Sequence, residues 1–94
     1  MTTVHKIVLT IDAQQKVYLP EGAEILCARE QHNDICIWYR CEPDNEKKVR
    51  VILIRGTGHP APSKHEAIYI GTVSLDGGRL MFHVFEALFV SDAQ

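Results

Sequence analysis

Ninety-four residues, 46% hydrophobic and 23% charged, suffice for one globular domain with its own core. A net charge of −2 with histidines neutral leaves no global field to recruit duplex nucleic acid or an anionic membrane surface. No apolar run approaches the roughly 18–20 residues that span a bilayer, and MTTVHKIVLTID lacks the parts of a secretory leader, so a cytoplasmic protein with no membrane partner is expected.

Periodicity favours strands along almost the whole chain. Val4–Thr10 opens the first, with His5, Ile7 and Leu9 on one side. Lys16–Pro20 is a short second piece; its proline cannot donate to a ladder and marks a boundary or a sheet edge. After a Pro-Glu-Gly turn, Ala23–Glu30 reads as a third strand. Gln31–Asp34 is a tight connection into Ile35–Cys41, rich in β-branched and aromatic residues, and these two strands are expected to form a hairpin. The polar stretch Glu42–Lys48 is a surface loop. Val49–Arg55 carries apolar residues at both parities, which predicts a central strand covered on both faces.

A long connection follows, then Ala67–Leu75, a turn at Asp76-Gly77, and Arg79–Leu88. Asp-Gly between alternating apolar runs predicts a two-residue type I′ hairpin, because both central residues need positive φ. The last residues, FVSDAQ, fray or extend the final strand. The expected fold is therefore all-β: a single small sandwich or open barrel over residues 1–94, with six to seven mostly antiparallel strands.

Local signatures of chemistry are scarce. No nucleophile elbow, phosphate-binding P-loop, zincin helix or EF-hand loop occurs. The three cysteines, Cys27, Cys36 and Cys41, have no zinc spacing, and Cys36 and Cys41 have opposite parity on one strand, so reduced buried thiols are expected. Five histidines at 5, 32, 59, 65 and 83 show no ligand spacing. No cofactor, metal or catalysis is expected.

The connection beginning RGTGHPAPSKHE differs from the rest. Gly56 and Gly58 allow successive N–H groups to turn inward as an anion-binding nest. Thr57 adds a hydroxyl, Arg55 a bidentate partner for phosphate, and His59 an imidazole restricted by the following proline. Lys64 lies nearby, and Tyr69 or Trp38 is a candidate platform for a base. Against this stands the plain alternative that Gly-Thr-Gly-His-Pro only turns a corner. Its length, about twelve residues, lies at the upper edge of what compact domains use without purpose. Arg40 and Arg50, in neighbouring strand candidates, are candidates for a shared surface. Both faces of Arg79–Leu88 are largely apolar, which predicts either a subunit contact in a homo-oligomer or a central position in the sheet.

At GTGHP, YIGT and GGRLMFHVFE the chain resembles a widespread family of small phage-encoded β proteins, mostly of unknown function. The resemblance runs from VHKIVL through VYLPEGAEIL and ICIWY to FHVFE. It implies a protein made by a virus inside the bacterial cytoplasm, where small accessory proteins often act as counter-defence factors. The expected role is to sequester a nucleotide-type immune signal without catalysis, through Arg55, Gly56, Thr57, Gly58, His59, Lys64 and Tyr69. The alternative is a protein-binding inhibitor of a defence complex such as a CRISPR effector, using Glu42, Asp44 and Glu46 or the apolar last strand. A virion accessory role and a small hydrolase remain further options.

Overall fold

The computed structural model describes residues 1–90. Seven strands form the framework: β1 (Thr3–Leu9), β2 (Gln14–Pro20), β3 (Glu24–Gln31), β4 (Asp34–Cys41), β5 (Lys47–Gly56), β6 (Ala67–Leu75) and β7 (Leu80–Ala87). They pair antiparallel in two sheets, ordered β1-β4-β3 and β2-β5-β7-β6. The fold is an all-β sandwich, as the alternation in the sequence predicts, and it is not closed into a barrel.

Alternation decides which residues enter the core. Ile7 and Leu9 lie opposite Ile37 and Ile35 on β4, and these meet Ile52, Ile54, Val73 and Val84 from the other sheet. Ile52 and Val84 are completely buried, and each such side chain contributes about 1.5–3 kcal/mol relative to an exposed one. The first strand's own alternation fades at its start, where His5 is exposed and meets Tyr39 edge-on at 6.0 Å.

β5 is central, between β2 and β7, with Ile52 and Ile54 on the inner face and Val51 and Leu53 buried on the outer one. β2, ending at Pro20, is an edge strand. β7 is also central, hydrogen-bonded to β5 and β6, with Val84 in the core and Phe85 packed on the outer face, while Leu80 and Met81 stay exposed. The central position that its sequence allowed is the one observed. Phe89 and Val90 leave the sheet; the expectation for the end of the chain otherwise falls on residues 91–94, outside the described ones.

Two turns differ in kind. Gln31 pairs directly with Asp34, so His32 and Asn33 are the two central residues of a hairpin, with φ of 53° and 63°. The Asp76-Gly77 turn is longer than the two-residue form expected. Leu75 pairs with Leu80. Asp76 and Gly77 have the positive φ expected of them, 53° and 65°, but Gly78 follows with φ of 94°. The turn is closed by the Arg79 N–H on the Asp76 carbonyl. The reason is tertiary: the Asn33 side chain accepts the Asp76 N–H at 2.8 Å, tying the tips of the two hairpins together across the sandwich.

The two sheets approach along one side. The edge strands β3 and β6 each carry a bulge there, between Ile25 and Cys27 and between Tyr69 and Gly71. A side chain at Gly71 would stand 3.0 Å from the Ala28 carbonyl oxygen, so this seam is backbone against backbone. Toward one end, Arg50 pairs with Glu86 between the sheets and donates to the Ala23 carbonyl at 2.9 Å. Arg50 does not share a surface with Arg40: they lie in different sheets, and Arg40 pairs with Glu24 on β3.

Candidate functional site

β5 runs through Gly56, so the long connection is Thr57–Glu66, slightly shorter than expected. Its first half is a β-turn in which the His59 N–H returns to the Gly56 carbonyl at 3.2 Å. Gly58 occupies the third turn position with φ of 90°, where a β-carbon is strained. That turn keeps the His59 N–H from any anion. The second half is a single turn held by a capping box. The Ser63 hydroxyl accepts the His65 N–H at 3.2 Å, and the Glu66 carboxylate accepts the Ser63 N–H at 2.8 Å. Ser-Lys-His-Glu is the sequence signal for this turn, and it accounts for Lys64 and His65 as exposed positions on it.

Arg55 lies on the outer face of the four-stranded sheet. Its Nη1 donates to the carbonyls of Ala13, at 2.6 Å, and Ile54, at 3.0 Å. Those bonds lean the guanidinium toward β2 and leave Nε and Nη2 without an acceptor among the described residues. Arg55 forms part of the wall of two adjoining cavities. One is a small cleft of about 270 Å³ where it meets Gly56 and His59 beside Ile11, Ala13 and Phe82. The other is a groove of about 700 Å³ with Val51 and Leu53 on its floor and Lys16 at its side. Pro60 and Pro62 from the loop, with Phe89 from the chain's end, complete its walls. Arg55, Gly56 and His59 therefore do share a cavity.

Thr57 and Tyr69 belong to a different assembly on the same sheet face. The Thr57 hydroxyl is 2.7 Å from His83 Nε2, His83 Nδ1 is 3.0 Å from the Thr72 hydroxyl, and the Tyr69 hydroxyl is 2.6 Å from that of Thr72. Tyr69 also meets Phe85 edge-on at 5.8 Å. This chain joins one residue of GTGHP, two of YIGT and one of FHVFE. Sequence reasoning missed His83 and Thr72. His83 shares its strand parity with Phe85 and Ala87 and reads as part of an apolar face; only the register that sets it between Arg55 and Thr72 reveals it.

Lys64 is exposed and lines neither cavity. Trp38 lies on β4, paired with Lys6 and Cys27 in the other sheet, so it is no platform for a ligand held by Arg55. Of the acidic loop, Glu42 accepts from the Thr2 hydroxyl and the N-terminal ammonium, which hold its carboxyl below the usual range. Glu46 pairs with Lys48 at 3.4 Å. No helix among the described residues is long and apolar enough to cross a membrane. Among them, no three His, Cys, Asp or Glu side chains gather as metal ligands.

No curated protein and no solved structure matches the chain. A family model, described as a domain of unknown function, does match, over residues 1–92. On that match, spanning nearly its whole length, the chain belongs to the DUF7352 family.

Proposed function

We propose that this protein is a non-catalytic binder that sequesters a small phosphate-bearing, nucleotide-type signal in the groove beneath the Thr57–Glu66 loop. The observation that carries the reading is Arg55 in the wall of that groove, braced by two backbone carbonyls and with part of its guanidinium unused. Phosphate is held by this fork and by Lys16, while a planar body lies on Val51 and Leu53 under Pro60 and Pro62. A groove of about 700 Å³ is within the range of small-molecule sites, and apolar walls with a few placed charges are their usual composition. The viral setting, the counter-defence role and a host-cytoplasmic location rest on the resemblance. A homo-oligomer belongs to the same proposal: Phe89, 83% exposed at the groove's rim, is apolar surface for a second copy to cover.

Calorimetry against linear and cyclic nucleotides tests this. Lys16→Ala, at an exposed edge position, and Arg55→Lys, which keeps charge but loses the fork, should each weaken binding about tenfold or more. A folded protein that binds none of the panel, or binds equally well in both variants, refutes the reading. Light scattering on the same samples reads the oligomeric state. Capture of one host defence complex from infected cells by a protein that binds no nucleotide would favour the inhibitor alternative.

A further inference from the structure

The chain Thr57–His83–Thr72–Tyr69 lies beside the groove and is not needed for the reading above. Its members are exposed or only half-buried, so water alone would satisfy every one of their polar groups. Burial therefore does not demand the arrangement, and ordering four side chains costs rotamer freedom. The arrangement also spans three segments, the β5–β6 loop, β6 and β7, and has the imidazole at its centre with a hydroxyl on each ring nitrogen.

Counting hydrogens shows what this does. With a neutral imidazole the four groups carry four hydrogens, and the three internal bonds use three of them. One O–H then points outward, at whichever end the tautomer selects. An imidazolium donates from both nitrogens, so Thr57 must accept, as must Thr72. Five hydrogens less three leave two outward donors, one from Thr57 and one from the Thr72–Tyr69 pair, around a positive charge. β5 faces His83 with Arg55, its in-register neighbour, and β6 with Tyr69 through Thr72. The loop brings Thr57 and no charged side chain into hydrogen-bonding distance of the ring among the described residues.

We propose that Thr57, His83 and Thr72 form a second, proton-dependent binding site for a small tetrahedral oxyanion, such as sulfate or a phosphate group, on the outer face of the four-stranded sheet. Anion binding and ring protonation then favour one another, because each supplies what the other needs, so affinity is higher at lower pH.

The test uses sulfate, which does not itself titrate between pH 5.5 and 7.5, followed by chemical-shift titration of the uniformly labelled protein, reading backbone amides and histidine rings. The expected result is at least fivefold tighter binding at the lower pH, with shifts centred on Thr57, Thr72 and the His83 ring. His83→Gln should bring the ratio close to one, and His5→Gln, on the other sheet, should leave it unchanged. Thr57→Val should keep the pH dependence but lower affinity about threefold at pH 5.5. The amide spectrum of each variant shows whether it has folded. Overturning results are the same pH ratio in folded His83→Gln, a pH-independent affinity in the parent protein, or no sulfate binding at either pH. Because the groove is read with nucleotides and with Lys16→Ala, either site can fail while the other stands.

Discussion

Gly71→Ala is the sharpest test of how the two sheets meet. In a strand exposed to solvent, replacing glycine with alanine stabilises by about 0.5–1 kcal/mol, because glycine loses more backbone freedom on folding. Here the added methyl would stand 3.0 Å from the Ala28 carbonyl oxygen and 3.4 Å from its β-carbon. The nearest atom is backbone, so no side-chain rotation relieves it; β3 and β6 must separate. Overpacking of this kind costs about 1–3 kcal/mol. Set against the propensity gain, the net loss is about 1–2 kcal/mol. For a domain of this size that lowers Tm by roughly 5–15 °C. Differential scanning calorimetry measures it directly. Adding Ala28→Gly removes only the weaker contact and should restore little of the loss. A Tm for Gly71→Ala equal to or above that of the parent would refute a backbone-to-backbone seam, and full rescue by Ala28→Gly would shift the clash to the side chain.

The Arg50–Glu86 pair is about four-fifths buried, so Glu86→Ala should cost about 2–4 kcal/mol in urea denaturation by stranding the guanidinium, while the double change to Met and Leu should be close to neutral. His32→Gly should stabilise by about 1 kcal/mol by relieving a left-handed non-glycine residue, whereas Asn33→Gly should gain less or lose, since it frees the Asp76 N–H; thermal melts separate the two. Burial pushes both the Cys36 thiol and the Tyr39 hydroxyl up. Each therefore contributes stability below its unfolded-state pKa that is lost as pH rises through the raised one, so stability should fall above about pH 9. Phenolate absorbance should show Tyr39 ionising only together with that unfolding. Thiol reagents at neutral pH should reach Cys27 first and Cys36 and Cys41 only on denaturation.

Much of the fold is legible from local pattern because period-2 alternation, prolines and turn residues act within a few positions of themselves. Val49–Arg55 announced a doubly covered strand, and Pro20 an edge. The site was legible only in part. Arg55 and His59 belong together because a β-turn with two central residues, Thr57 and Gly58, returns His59 to Gly56, a purely local relation. His83 was hidden, since parity along β7 assigns it to the same face as Phe85 and says nothing of what lies across the strand. The capping box at Ser63–Glu66 was present in the sequence, and it accounts for Lys64 without a ligand.

By itself the sequence determined an antiparallel all-β chain, its strand limits within a few residues, and the loop that departs from the pattern. Those features are set by interactions between near neighbours. Tertiary structure alone decided that β7 is central, that two hairpin tips are tied through Asn33 and Asp76, and that Thr57, Tyr69, Thr72 and His83 form one hydrogen-bonded chain. Register and sheet packing set residues far apart in sequence beside one another. Strands of alike composition fit many such pairings, and the choice among them is made by the packing of the whole core.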